Sequence, residues 1–166
     1  MGELYTEWIV KKKTPVYAIP AKIAMIILTG IPALLALTGI VWWMIIPAVI
    51  FGYITYRLFM NWDIEYEYVF VNGELDIDKI MGKSRRRRCL TIDMEDIEII
   101  AAEGSHFLDS YKNKKCKQMD FSSSIKENKK YLIYGNHKNE STRIVFEPNE
   151  KMLDNMRSVS PRKVNL

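Results

Sequence analysis

The chain has 166 residues, and its 24 Lys and Arg against 20 Asp and Glu leave a net charge of only +4. That excess is unevenly spread: residues 1–60 hold five basic against two acidic side chains, while residues 61–166 hold 19 against 18. The second part is therefore too nearly neutral for a nucleic-acid-binding domain, and its length suffices for one small domain with its own core.

Residues 1–18 read as a short cytosolic N-terminal segment that carries the basic run Lys11, Lys12 and Lys13. From Ile23 to Tyr56, 34 consecutive residues carry no charge. A single helix of that length would reach roughly 50 Å, well beyond a ~30 Å hydrocarbon core, so the run must fold back. Thr38-Gly39 is the small, flexible step near its middle. The sequence thus predicts a transmembrane helical hairpin over residues 19–60, with spans at about 19–37 and 40–60. Lys22 and Arg57 sit one turn from the span ends, where long basic side chains reach the headgroups. Trp42, Trp43 and Trp62 fall at interfaces. Pro32 and Pro47 are expected to bend their helices. Thr29/Ala33 and Ala48/Gly52 would let the backbones approach closely, although small residues are common in any membrane helix. A competing reading is a cleaved signal peptide with its site near Ala33-Leu34-Leu35-Ala36, but hydrophobicity continues some twenty residues further.

The cations flank the run and are missing from its turn. By the positive-inside rule this is a multi-pass cell-membrane protein with both termini cytoplasmic. Cys89 and Cys116 would then face a reducing compartment, where a disulfide is not expected. No ionisable residue lies deep in either span, which argues against a transporter in its own right.

Residues 61–166 read as an antiparallel sheet closed by a helix. Glu65 to Val71 alternates, with Tyr66, Tyr68 and Phe70 on one face. Asn72-Gly73 is a strong two-residue hairpin signal. Glu74 to Ile80 returns with Leu75 and Ile77 inward and Glu74, Asp76 and Asp78 outward. A turn at Met81 to Ser84 leads to a strand from Arg86 to Met94, and Ile97 to Ala101 makes a fourth apolar run. Gly104 to Lys114 is polar and turn-like, Lys117 to Phe121 a short strand, and Ser122 to Asn128 a loop. Tyr131 to Tyr134 and Arg143 to Phe146 form a second hairpin around Gly135 to Thr142. Asn149 caps a helix over 149–160 whose Met152, Leu153, Met156 and Val159 share a stripe.

This order of elements resembles a pleckstrin-homology-like (PH-like) barrel, in which the final helix plugs an open end of a curled sheet. Membrane hairpin, Tyr-rich first strand, tight turn and basic strand together look like bacterial PH-like membrane proteins. The segments NGELDIDKI, LDSY, MDFSS, FEP and PRKV are more closely similar to an uncharacterised family of small two-span membrane proteins of clostridial Gram-positive bacteria. The resemblance runs through nearly the whole chain and implies an α+β membrane protein with a two-helix hairpin, a small antiparallel PH-like β barrel and a C-terminal helix. It carries no assigned activity and no functional residues, and fold alone does not give function.

Catalytic chemistry is sparse. Ser105, His106 and Asp109 could suggest nucleophile, base and orienter, but sequence adjacency says little about triad geometry. Cys89, Cys116 and His106 lack metal-ligand spacing, Asp76 and Asp78 lack a Ca²⁺ loop, and no glycine-rich phosphate cradle is found. Asn139-Glu140-Ser141 matches a glycosylation sequon that a cytosolic position would make irrelevant. No enzyme, cofactor, metal or nucleic acid is expected.

One cluster stands out: Lys83 followed by Arg85, Arg86, Arg87 and Arg88. Contact with anionic lipid headgroups is worth about 1 kcal/mol per basic residue. The competing readings are a solvated turn neutralised by Asp93, Glu95, Asp96 and Glu98, or charge that only sets topology. The expected function is a membrane-anchored interaction or adaptor module with the bilayer, anionic lipids and a protein as partners; the alternative is an accessory subunit of a membrane enzyme or transporter complex.

Overall fold

The computed structural model describes residues 4–165. They divide into two units: residues 14–64 with 81–85, and residues 4–13, 65–80 and 86–165.

The first unit is the apolar hairpin. Helix α1 spans Ala18–Leu37 and ends where Thr38 caps it and Gly39 takes φ +75°. A 3₁₀ turn, Trp42–Met44, leads into α2, Ile45–Trp62. Both helices are long and apolar enough to cross a membrane. Pro47 does not sit where a bend would form, because it is the third residue of α2, as Pro20 is of α1. In a first turn the missing N–H would have no intrahelical partner anyway. The two helices meet at threonines: Thr29 Oγ1 lies 3.0 Å from Thr55 Oγ1, and a Cβ on Gly52 would stand 3.6 Å from the Thr29 methyl. The expected close approach is thus made by Thr29 against Gly52 and Thr55. Lys22 Nζ sits 5.2 Å from the ring centre of Phe59.

The second unit is built from both sides of this hairpin. The segment before it, read from sequence as a tail, contains strand β1, Tyr5–Lys11. It pairs antiparallel with β2, Ile64–Val71, in a register running from Tyr5 opposite Val71 to Lys11 opposite Glu65. Strands β3, Glu74–Met81, and β4, Arg85–Asp93, complete a four-stranded sheet in the order β1-β2-β3-β4. Asn72 and Gly73 take φ of 48° and 102°, the positive values a tight hairpin turn needs.

A second sheet runs β6-β8-β7-β5-β9. Its strands are β5 Ile97–Ala102, β6 Lys117–Asp120, β7 Tyr131–His137, β8 Glu140–Phe146 and β9 Val164–Asn165. It departs from the antiparallel expectation twice, since β5 pairs β9 and β6 pairs β8 in parallel. The β7–β8 turn is tighter than the sequence suggests, only Lys138 and Asn139, both at positive φ. Helix α3, Glu150–Val159, starts where the Asn149 side chain accepts from Met152 N at 2.9 Å. It buries Met152, Leu153 and Met156, while Val159 is half-exposed.

Tyr68 ties the sheets together. Its ring meets Phe146 edge-on at 5.9 Å, its hydroxyl donates to Phe121 O at 2.6 Å and accepts from Glu147 N at 3.4 Å. Burial pushes its ionisation well above the usual phenol range. A smaller cluster of Ile99, Ala101, Leu108, Leu132 and Tyr134 forms where the 3₁₀ segment His106–Tyr111 inserts Leu108 against the second sheet. That segment lies in the stretch read from sequence as a turn.

Close backbone contact makes one glycine testable. A Cβ at Gly135 would stand 2.6 Å from Asp96 O, beside the irregularity in the β5–β7 register. Gly135→Ala should therefore cost about 1–3 kcal/mol, as overpacking does, read as a lowered unfolding midpoint in denaturant.

Candidate functional site

A strand sends successive side chains to opposite faces, so four consecutive arginines on β4 cannot act as one patch. Arg86 and Arg88, two apart, are held by acids of the same sheet. Arg86 Nε donates to Asp78 Oδ2 at 2.6 Å, and its Nη2 reaches Glu67. Arg88 Nη2 lies 3.2 Å from Asp76 Oδ2 and its Nε 3.6 Å from Asp78 Oδ1. Thr91 Oγ1 donates to Asp76.

These contacts correct two expectations. Asp78 and Glu67 are only 5% and 6% exposed, so the acids do not lie on a solvated face. The arginines are neutralised by β2 and β3, not by the strand ends at Asp93 to Glu98. Glu98 instead pairs with Lys114 at 2.7 Å and raises the pKa of that lysine. Two buried carboxylates side by side would repel strongly, and Arg86 bridging both removes that penalty.

Arg85 and Arg87 are exposed and make no ion pair among the described residues, and Lys83 occupies the turn at φ +53°. The turn is fastened locally: Gly82 N donates to Asp63 O at 2.8 Å, and a Cβ on Gly82 would meet Met60 at 3.2 Å. Lys83 and Arg85 therefore stand beside the last turn of α2. The sequence-derived cluster thus separates into an ion-paired set, Arg86 and Arg88, and an open set, Lys83, Arg85 and Arg87.

The remaining chemistry-bearing residues are occupied locally. Ser105 Oγ accepts from Phe107 N at 3.4 Å, Asp109 pairs with Lys112 at 2.6 Å and is held below its usual pKa by it, and the His106 ring lies 4.0 Å from that of Phe107. Ser105, His106 and Asp109 form no hydrogen-bonded relay among the described residues. Cys89 and Cys116 are half-buried free thiols, and burial pushes the Cys89 pKa up. No group of three His, Cys, Asp or Glu side chains able to hold a metal occurs among the described residues.

A second polar knot escaped the sequence reading. Glu147, there only a strand terminator, is buried and accepts from Ser123 N at 3.1 Å, Ser123 Oγ at 2.8 Å and Asn128 Nδ2 at 3.0 Å. It lines a groove of about 540 Å³ together with Trp8 and Pro148. An acid next to proline was the only local signal, and its partners lie about twenty residues upstream.

The split of the arginines has a direct test. Arg86→Gln strips the bridge from two buried acids; because Arg86 is itself half-exposed, the expected loss is roughly 1–3 kcal/mol, less than for a fully buried pair. Arg87→Gln should stay within ~0.5 kcal/mol of the parent in the same denaturation experiment.

No curated protein and no solved structure matches the chain. The family model of the bacterial PH-like domain (DUF6106) matches residues 2–166, a span that takes in β1, the apolar hairpin, both sheets and α3. The chain belongs to this bacterial PH-like domain family.

Proposed function

We propose that the protein is a non-catalytic, membrane-anchored module whose PH-like domain is held at the cytoplasmic face of the cell membrane, where it meets anionic headgroups and a protein partner. The observation that carries this reading is the pairing of β1 with β2. Lys11 and Glu65 are direct neighbours across that ladder, so the chain leaves the domain and re-enters it on the same side of any bilayer. An inserted segment with two apolar helices then makes two crossings, and both termini share a side. Signal-peptide cleavage near Ala36 would remove β1, whose Thr6 and Val10 are buried in the domain. The basic flanks at Lys11 to Lys13, Lys22 and Arg57 assign the shared side to the cytoplasm.

Lipid contact falls to Lys83, Arg85 and Arg87. Lys83 and Arg85 stand beside the end of α2 and, like Arg87, are free of ion pairs among the described residues. At about 1 kcal/mol each, the three contribute roughly 3 kcal/mol, more than a hundredfold in affinity.

Two measurements test this. Alkaline phosphatase fused after Leu166 should be inactive in cells while a fluorescent protein at the same place glows; an active phosphatase reverses the topology. The full chain in uncharged detergent should be stabilised against heat by short-chain phosphatidylglycerol and not by phosphatidylcholine. Lys83, Arg85 and Arg87 changed together to Gln should abolish that salt-sensitive response, and a response unaltered in the triple variant would sink the lipid contact.

A further inference from the structure

Arg143 is an arginine that the fold leaves uncommitted. It lies in β8 directly opposite Tyr134 of β7, on the side of the second sheet that the segment His106–Tyr111 covers. Its Nε is buried and has no hydrogen-bond partner, and its guanidinium makes no ion pair among the described residues. The residue as a whole is half-buried, but a buried N–H without an acceptor is costly to leave, more so on a charged group than on a neutral one.

The side chain lines a pocket of about 250 Å³ with Ser105, Leu108, Lys112, Leu132 and Tyr134. Its apolar lining is two leucines and Tyr134, whose ring packs at a tilt against Tyr111, 5.1 Å between centres. The lining also includes three residues that carry hydrogen-bond donors: Arg143, Ser105 and Lys112. Lys112 is shared with Asp109, and the exposed Glu103 also lines the pocket. An apolar cavity with a few convergent polar groups is the usual form of a small-molecule site.

We infer that this pocket binds a small organic anion, with its carboxylate or phosphate on the Arg143 guanidinium and its apolar body against Leu108, Leu132 and Tyr134. A planar two-oxygen acceptor suits the guanidinium fork, and Arg143 gains the acceptor that the protein does not supply. Glu103 then opposes binding by like charge at the pocket, and Lys112 supports it.

The full chain in uncharged detergent, at constant ionic strength set with chloride, is titrated with benzoate, inorganic phosphate and the neutral control benzyl alcohol while its melting temperature is followed. A saturable rise with benzoate or phosphate and none with benzyl alcohol is expected, and the two anions distinguish a carboxylate from a phosphate ligand. Arg143→Met should weaken the response at least tenfold. Glu103→Gln, on an exposed residue, should tighten it and leave the unliganded melting temperature unchanged. Failure of both anions, an equal effect of benzyl alcohol, or an undiminished response in Arg143→Met overturns the site. So does a Glu103→Gln protein that melts lower and binds no better, since Glu103 would then be the arginine's own partner.

Discussion

The pairing of β1 with β2 is the constraint on which the rest depends. Seven residues from each strand lie in register across an intervening stretch that contains both apolar helices. Closing a longer stretch costs little extra entropy, ~0.6 kcal/mol per doubling, so a sheet can accept an insertion between two adjacent strands without losing their ladder. The consequence is topological: an insertion returning to the neighbouring strand crosses a bilayer an even number of times or not at all. The hairpin and the sheet therefore specify one another. Thr38 and Gly39 turn the helices back, and the β1–β2 ladder requires that they come back.

Charge within the sheet obeys a similar division. Glu67 and Asp78 are nearly inaccessible to water, and two such carboxylates are costly without a cation beside them. Arg86 and Arg88 are thereby held by acids of the same sheet. The alternate residues, Arg85 and Arg87, face no such demand. Spacing of two along the strand separates the sets, so a run that looks uniform in sequence divides into an ion-paired pair and an open pair in the folded chain.

What could be read from sequence was local. The uncharged run, the Thr38-Gly39 break, the Asn72-Gly73 hairpin and the Asn149 cap are each settled by residues within a few positions of one another. Pairings between distant segments were not legible. The β1 strand buries Thr6 and Val10 while Trp8, between them, stays substantially exposed, so its pattern is too mixed to announce a strand. The parallel pairs β5–β9 and β6–β8 join short segments whose partners lie twenty or more residues away. For Asp76 and Asp78, alternation identified the correct shared face but not that arginines of the next strand would cover it. The open half of the basic cluster was named from sequence; Arg143 was not, because an isolated arginine in an alternating strand carries no signal until its lack of a partner is seen.

The segments that carry the sequence resemblance have structural duties. In NGELDIDKI, Asn72 and Gly73 make the turn and Asp76 and Asp78 hold the arginines. LDSY places Leu108 and Tyr111 against the second sheet, and MDFSS meets FEP through Ser123 and Glu147. In PRKV, Lys163 donates to the carbonyls of Met94 and Glu95 at 2.8 and 2.9 Å while Val164 pairs with Ile100. Each of these residues satisfies a buried polar group, closes a turn or fills a core, needs that any protein of this fold must meet. Likeness in such segments therefore identifies the fold and is silent on what the fold is for. Function is better sought where a charged group has no structural employment, which in this chain means Lys83 and Arg85 beside the end of α2, Arg87 further along β4, and Arg143 beneath the segment His106–Tyr111.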